Sequence, residues 1–537
     1  MDSRRPPAAQ RTKGIGLIFQ SIEDSQFLRH SWHRLGKHEV PAFFARLVEL
    51  RDGAELQDRL GTALVGIAVA ASVPLSGISR IRVQSELIDD WTVDLRQGCL
   101  RRRPPRVSRG WNPNSASADW VQPTVNEWQI VLPVATQSSL RGLRKRGGVS
   151  LDALWDDVSP NVTLEHWFGS RFAIGETLSR LTSPVISNAL AQDFYEANGD
   201  HAEARLLTSS TRSAIPAACM YGSFRFDEVR RTWDRGLHPE LGSMLALGKS
   251  ALGNAAGSEL DVDLARLRNA IGQLTHRVNV SAADGNEWVA HHNLLTALCI
   301  VTLFASTGAR PVNSPFESSR WFDFDRRIVY VEDKRSGPTQ GARLCVLSDI
   351  AHRLLSERYF PHIESLQRAL ASRAPGFAAR LSKIANPDVD GDLPLFFFLR
   401  VQPNFDWIEV SSTQLDIVCA NPWPQPWNLF RHLQSTQLRR KGLPAEIRDA
   451  LLSHGERGAE SHGEFSWRTP CDDLEVARPL INLLANDLGL SLPSTGAPPI
   501  IAPARLAEPD FSQGASFGRQ AREICREKVH AAAKRVA

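Results

Sequence analysis

Arg431 and His454 are residue types suited to holding an oxyanion. They share a stretch that opens Trp427-Asn428-Leu429-Phe430-Arg431-His432 and closes Leu451-Leu452-Ser453-His454. A guanidinium offers a planar fork of N–H donors that matches two oxygens of a phosphate, and an imidazole donates or shuttles a proton near neutral pH. Leu438, Ile447, Leu451 and Leu452 recur at helical spacing around Gly442-Leu443-Pro444, which predicts two short helices joined by a turn and presenting both groups from one wall. Asn428, just ahead of the first helix, can donate to a phosphate but cannot carry a proton; helix N-capping is its plainer role, and the two are compatible. His432 follows Arg431 on another helix face and reads as structural or exposed, as does His462.

Two upstream elements must bring further groups to that wall. Leu294 to Ala305 is a long apolar run, the pattern of a buried helix, and it ends at Ser306-Thr307-Gly308-Ala309-Arg310-Pro311, where Gly308 suits a helix C-cap. Next come Arg327-Ile328-Val329-Tyr330-Val331-Glu332 and Ala342-Arg343-Leu344-Cys345-Val346-Leu347, β-rich runs around the turn-forming Ser336-Gly337-Pro338-Thr339-Gln340-Gly341, which predict a hairpin with Lys334 and Arg335 near its turn.

In this order the blocks resemble those of the tyrosine recombinases, the phage-integrase family. Thr307-Gly308-Ala309-Arg310 is similar to the family's Thr-Gly-x-Arg, and Asn428-Leu429-Phe430-Arg431-His432 to its His-x-x-Arg-His with Asn in the first place. Leu451-Leu452-Ser453-His454 is similar to its Leu-Leu-Gly-His with Ser for Gly. The resemblance implies that Arg310 and Arg431 grip the scissile phosphate, that His454 donates to it, and that Lys334 protonates the leaving 5′ oxygen. Asn313 stands where the family often has a carboxylate.

After His454 the chain departs from the pattern. The commonest spacing of the nucleophilic tyrosine reaches Gly463, and the spacing of some larger relatives reaches Phe465, within His454-Gly455-Glu456-Arg457-Gly458-Ala459-Glu460-Ser461-His462-Gly463-Glu464-Phe465-Ser466. The second alignment fits better, because Glu456, Gly458, Glu460 and Ser466 match it. Phenylalanine has the ring without the hydroxyl, so no 3′-phosphotyrosyl bond can form there. Tyr195, Tyr221, Tyr330 and Tyr359 all lie outside the segment after His454. Either a Tyr→Phe change has been made, or the chain is a naturally silent member that binds DNA beside active partners.

The remaining sequence sets the frame. A length of 537 residues suggests three or four domains, and a net charge of +4 permits a polyanionic partner without requiring one. The cysteines at 99, 219, 299, 345, 419, 471 and 525 form no Cys-x-x-Cys pair, which argues against a zinc site or disulfide framework and suits a reducing cytoplasm. No uncharged apolar run of about 18 residues and no apolar signal core stand out.

Along the chain, residues 1 to about 25 read as an arm, Phe43 to Leu50 and Leu60 to Ala71 as helices, and Ile88 to Leu95 and Trp128 to Leu132 as strands. Between those strands lies the densest basic run, with Arg101, Arg102, Arg103 and Arg106, read as contacts to DNA phosphates or as a solvated loop. Arg439, Arg440 and Lys441 are a second candidate DNA contact. From Thr163 to about Trp233 the pattern is helical, Gly248 to Gly257 reads as a linker, Leu393 to Leu399 as core, and Ser516 to Val536 as a basic C-terminal helix.

These readings give a mainly α protein with small antiparallel β elements, an α+β class. Its expected domains are an N-terminal region over 1–155, a helical core-binding domain over 156–250, a tyrosine-recombinase-like catalytic domain over 251–480 and a tail over 481–537. By resemblance the partner is double-stranded DNA, held by a homo-tetramer or an assembly with other recombinases. No metal or other cofactor is implied, and the bacterial cytoplasm is the expected place. A nuclease-like or topoisomerase-like enzyme could use the same pocket.

Overall fold

The computed structural model describes residues 35–36, 38–87, 90–103, 115–122, 127–141, 148–208, 217–236, 246–247, 255–283, 287–332, 342–384, 393–400, 405–420, 422–454 and 469–494. The chain divides into two compact units that meet in sequence at Asp261 and Val262. Helices dominate, with small sheets that are antiparallel apart from one parallel strand pair, so the expected class is observed at this level.

The first unit opens with α1 (Glu39–Arg51) and α2 (Leu56–Ala71). Nearly every residue of α2 is buried, including Leu60, Leu64, Ile67 and Ala71, so this helix is apolar all round and runs through the core. Strands β1 (Arg82–Val83), β2 (Trp91–Asp94), β3 (Cys99–Arg102), β4 (Trp128–Val131) and β5 (Val149–Ser150) follow, then helices α3 (Leu151–Val158), α4 (Leu164–Phe172), α5 (Ala189–Asn198) and α6 (His201–Thr208). With β6 (Ser223–Arg225), β7 (Ala246–Leu247) and β8 (Ala255–Gly257) the strands make a six-stranded sheet in the order β5-β1-β2-β3-β4-β7 and a separate β6-β8 pair.

Two expected boundaries fall inside this unit rather than at its edges. Trp155 of α3 packs on Trp167 of α4 at 5.5 Å between ring centroids, and the Trp167 indole donates to Asp58 of α2 at 2.9 Å, so position 155 lies within one core. The expected linker from Gly248 to Gly257 ends in strand β8, where Ala255 and Ala256 are buried and pair with β6. Gly257 is required by the strand pair and not by flexibility, because at φ +89° it lies against the Gly222 carbonyl and Phe224.

The basic run is also corrected. Its first residues are strand β3, and the register sets Arg102 opposite Trp91 on one side and Trp128 on the other. Arg102 is 1 % exposed, with its guanidinium 5.0 and 5.6 Å from the two indole centroids, and it donates to the Leu207 carbonyl near the end of α6. Burial lowers its pKa to about 9, so it is a costly charge that the indole faces and a helix C-terminus hold in place. Arg101 is engaged by both carboxylate oxygens of Glu127 and by the Ser85 carbonyl, and Arg103 donates to the Leu87 carbonyl at 3.1 Å.

Arg102 is therefore a structural residue and not a phosphate contact, and Arg101 spends its fork within the fold. Arg106 lies outside the described residues. Arg102→Ala is expected to remove about 3–5 kcal/mol of stability, because it empties a large buried volume between two indoles. A chemical denaturation curve measures this; unchanged stability with weakened DNA binding would restore the phosphate role.

The second unit opens with α7 (Leu264–Ala283) and α8 (Trp288–Thr307). Helix α8 is the buried helix expected ahead of Gly308. The most apolar 18-residue window of this helix has a mean hydropathy of 1.5, enough in length and composition to cross a membrane, and 83 % of that window is buried within the protein. Asn293, Thr296 and Thr302 interrupt the apolar residues, so it is the helix as a whole, and not an uninterrupted run, that meets this measure. Strand β9 (Phe322–Asp323) precedes the expected hairpin, β10 (Ile328–Glu332) and β11 (Ala342–Val346), whose register runs from Ile328 opposite Val346 to Glu332 opposite Ala342.

Helix α9 (Phe360–Leu370) and the β12–β13 pair (Phe397–Arg400 and Asp406–Glu409) cover α8. The apolar run from Leu393 to Leu399 is core, as expected. Helices α10 (Leu429–Arg440) and α11 (Ala445–Leu451) flank the Gly442 turn, and α12 (Pro470–Asp487) closes the unit. Leu438, Leu443, Ile447 and Leu451 share a cluster with Ile328, Val346, Leu474 and Ile481, which packs the helix pair against the hairpin and α12.

Candidate functional site

The site is built on the C-terminus of α8. Gly308 caps it in the left-handed conformation at φ 58° and donates to the Phe304 carbonyl at 2.9 Å. A Cβ at 308 would collide with Gln434 Oε1 and Leu452, so both conformation and space require glycine. The last carbonyls of the helix lack partners within it and accept from side chains instead. Gln434 Nε2 donates to Ser306 O at 2.7 Å, and Gly308 O accepts from Arg431 Nη1 at 3.1 Å and from Arg343 Nη2 at 3.5 Å.

Arg431 and Gln434, three apart on α10, therefore face the same corner. Arg431 also donates through Nη2 to the Leu452 carbonyl and is fully buried, so one guanidinium joins α8, α10 and the end of α11. Its charge is favoured beside the negative end of the α8 dipole.

His454 is delivered by the end of α11. Ser453 N–H donates to Ala450 O at 3.1 Å and His454 N–H to Asp449 O at 2.8 Å, the paired bonds of a Schellman turn, with Ser453 left-handed at φ 50°. The imidazole is buried. Its pKa is held well below the usual histidine value, first by burial and then by the guanidinium charges of Arg431, Arg448, Arg310 and Arg343. Asp449 lies 3.8 Å from His454 Nδ1, too far for a hydrogen bond, and 3.6 Å from Arg448 Nε.

Near neutral pH the site is thus a neutral imidazole in the field of four guanidinium groups, with Asp449 as a nearby carboxylate. A neutral imidazole donates one hydrogen bond and accepts one. Excess positive charge held in buried surroundings stabilises an anion with several oxygens, and most strongly one that gains charge during reaction.

No family model, curated protein or solved structure matches the chain. Its chemistry is accordingly read from its own geometry.

Of the residues picked from sequence, Arg310, Arg431 and His454 are brought together. Arg310 is half-buried just past the α8 cap. Asn428 occupies the N-cap position of α10 but makes no capping bond; its Nδ2 lies 3.5 Å from His432 Nε2, and its Oδ1 is buried with no hydrogen-bond partner among the described residues. The capping role is therefore not the one it fills. His432 is buried, with its pKa lowered to about 3 by burial and by Arg431, so it is structural rather than exposed.

Lys334 and Phe465 lie outside the described residues; in sequence Lys334 falls between strands β10 and β11. Arg439 and Arg440 are half-buried in the last turn of α10, and Lys441 is paired with Asp487 of α12. Arg343 and Arg448 were missed. Each carried a signal: Arg343 shares the inward face of β11 with Cys345, and Arg448 adjoins Ile447 on the helix face that packs inward, positions where a charge is rare unless it has a task.

Proposed function

We propose that the chain is a DNA strand-transfer protein of the tyrosine-recombinase kind, which binds duplex DNA and holds a scissile phosphodiester against Arg310, Arg431 and His454. The observation that carries this reading is the convergence of guanidinium groups on one neutral, buried imidazole, drawn from separate sequence blocks in the order the resemblance requires. Attack on a phosphodiester builds negative charge on its non-bridging oxygens, and the guanidinium groups oppose that charge while the imidazole donates one hydrogen bond. Lys334 would protonate the leaving oxygen. With a tyrosine at 465 the hydroxyl oxygen would attack phosphorus and release its proton to solvent, the P–O5′ bond would break with the 5′ oxygen taking a proton from Lys334, and the 3′-phosphotyrosyl bond formed would hold the energy for rejoining.

Phe465 favours a second reading, a naturally inactive subunit that binds DNA within a larger recombination assembly. The test compares the chain with its Phe465→Tyr variant on nicked duplexes from the ends of its own element, and looks for a covalent protein–DNA band on a denaturing gel. A band with the Phe465→Tyr protein alone is the expected result. No band in either, with duplex binding retained and falling steeply with salt, selects the accessory subunit. Loss of duplex binding as well would end both readings.

A further inference from the structure

Arg343 lies in the second run of the hairpin and is given no role by the resemblance, yet it reaches the same corner. It sits second in β11, opposite Val331, and the alternation of the strand turns Arg343 and Cys345 inward while Ala342 and Leu344 face solvent. The Cys345 sulfur lies 3.7 Å from both the Thr307 and Leu451 carbonyls, so this face of the strand rests on the junction of α8 and α11. Two residues along, the Arg343 fork meets Gly308 O, the carbonyl that also accepts from Arg431. Arg343 is 8 % exposed, a burial that an arginine with only a surface role would not accept.

From this geometry we infer that Arg343 is a positioning residue for the phosphate-binding arginines, acting through the Gly308 carbonyl that it shares with Arg431. The carbonyl stands two residues before Arg310, so the pair of guanidinium groups fixes the backbone from which Arg310 projects. Arg343 also adds one charge to the set that faces His454, the others being Arg310 after α8, Arg431 on α10, and Arg448 with the opposing Asp449 on α11. The inference rests on the strand-transfer reading for its effect on cleavage, but its structural half does not.

The test uses Arg343→Met and Arg343→Lys. In the Phe465→Tyr protein, Arg343→Met is expected to slow formation of the covalent adduct by about 100-fold with duplex affinity unchanged, the penalty for a displaced reacting group. Arg343→Lys, which restores the charge without the planar fork, should recover part of that rate. In the chain with Phe465 near pH 7.5, where the unit is folded, NMR of labelled histidine, with the His454 ring signals assigned through His454→Gln, should show those signals move in Arg343→Met and return towards their parental positions in Arg343→Lys.

A residue that merely supports the fold would lower the melting temperature in both variants and leave the His454 ring signals where they were. A folded Arg343→Met protein with parental cleavage and parental His454 signals overturns the inference. If the Phe465→Tyr parent itself makes no adduct, the strand-transfer reading fails, and the histidine signals alone still decide whether Arg343 is coupled to His454.

Discussion

In the Phe465→Tyr protein, Arg310→Ala is expected to reduce strand cleavage by about 10²–10³-fold while duplex binding stays close to that of the parent. The size follows from removing one preorganised donor aimed at charge that develops only in the transition state. Binding is spared because affinity for duplex DNA is spread over many phosphates. Arg310 gives a cleaner test than Arg431. Arg431 is fully buried and donates to the carbonyls of Gly308 and Leu452, so Arg431→Ala would also leave buried acceptors short of donors, at about 1–3 kcal/mol for each.

Arg431→Ala should therefore lose cleavage and stability together, whereas Arg310→Ala, at a half-buried position outside any helix, should lose cleavage alone. Single-turnover cleavage rates set beside denaturation curves separate the two. Parental cleavage by a folded Arg310→Ala protein would sink the assignment of the site.

The second unit is expected to lose stability as the pH falls from 7 to 5. His292 on α8 and His362 on α9 face each other at 3.2 Å between Nδ1 and Nε2, with His292 Nε2 at 3.0 Å from the Phe397 carbonyl of β12. With both rings neutral, His362 Nε2–H donates to His292 Nδ1 and His292 Nε2–H donates to the carbonyl. A further proton on His292 would set two N–H groups against each other. Burial lowers the pKa of His292 to about 3, despite the carbonyl contact and with His291 adding to the shift, and holds that of His362 well below the usual value, with His292 and His291 adding to the effect.

His432 and His454 are lowered likewise, by burial and then by arginine charge. All four stay neutral in the folded unit and take up a proton near pH 6.5 when it unfolds. Their stabilisation is complete above about pH 6.5 and falls as the pH drops towards the folded values, by about 1.4 kcal/mol per pH unit for each. At pH 5 that is roughly 2 kcal/mol apiece for His292 and His432, whose folded values lie near 3, and His362 and His454 shift stability in the same direction, against about 5–15 kcal/mol for an ordinary domain.

Hydrogen exchange measured at both pH values, corrected for the intrinsic rate, should show lost protection across α8 and α10, with α2 of the first unit as an internal reference. Equal protection of α8 at both values would mean that the imidazoles are not buried neutral.

Much of the site was legible because it depends on local rules. An apolar run closed by Ser-Thr-Gly announces a helix and its left-handed cap, and Gly308 fills that role for the expected reason, joined by a lack of room for a Cβ. The β-rich runs about a turn gave β10 and β11 in register, and leucines at helical spacing about Gly442 gave α10 and α11. Asn428 shows the limit of such rules. Asparagine before a helix suggests a cap, but its amide lies 3.5 Å from the His432 ring one turn on and makes no capping bond, a choice between two local partners that residue type alone does not settle.

The amino-acid order by itself determined the helices, the hairpin, and the placing of Arg310 and His454 at the ends of elements, because turns, caps and periodicity act over a few residues. Tertiary structure alone decided what each arginine does. Arg102 looked like the centre of a phosphate-binding run and became a buried guanidinium between two tryptophans, because strand pairing brought Trp91 and Trp128 to its flanks. Arg343 looked like one residue of a hairpin and became one of the charges that act on His454, because strand alternation turned it towards the end of α8. A charge in a sequence carries no mark of the dielectric it will meet, and burial beside a carbonyl or an indole depends on contacts between residues far apart in the chain.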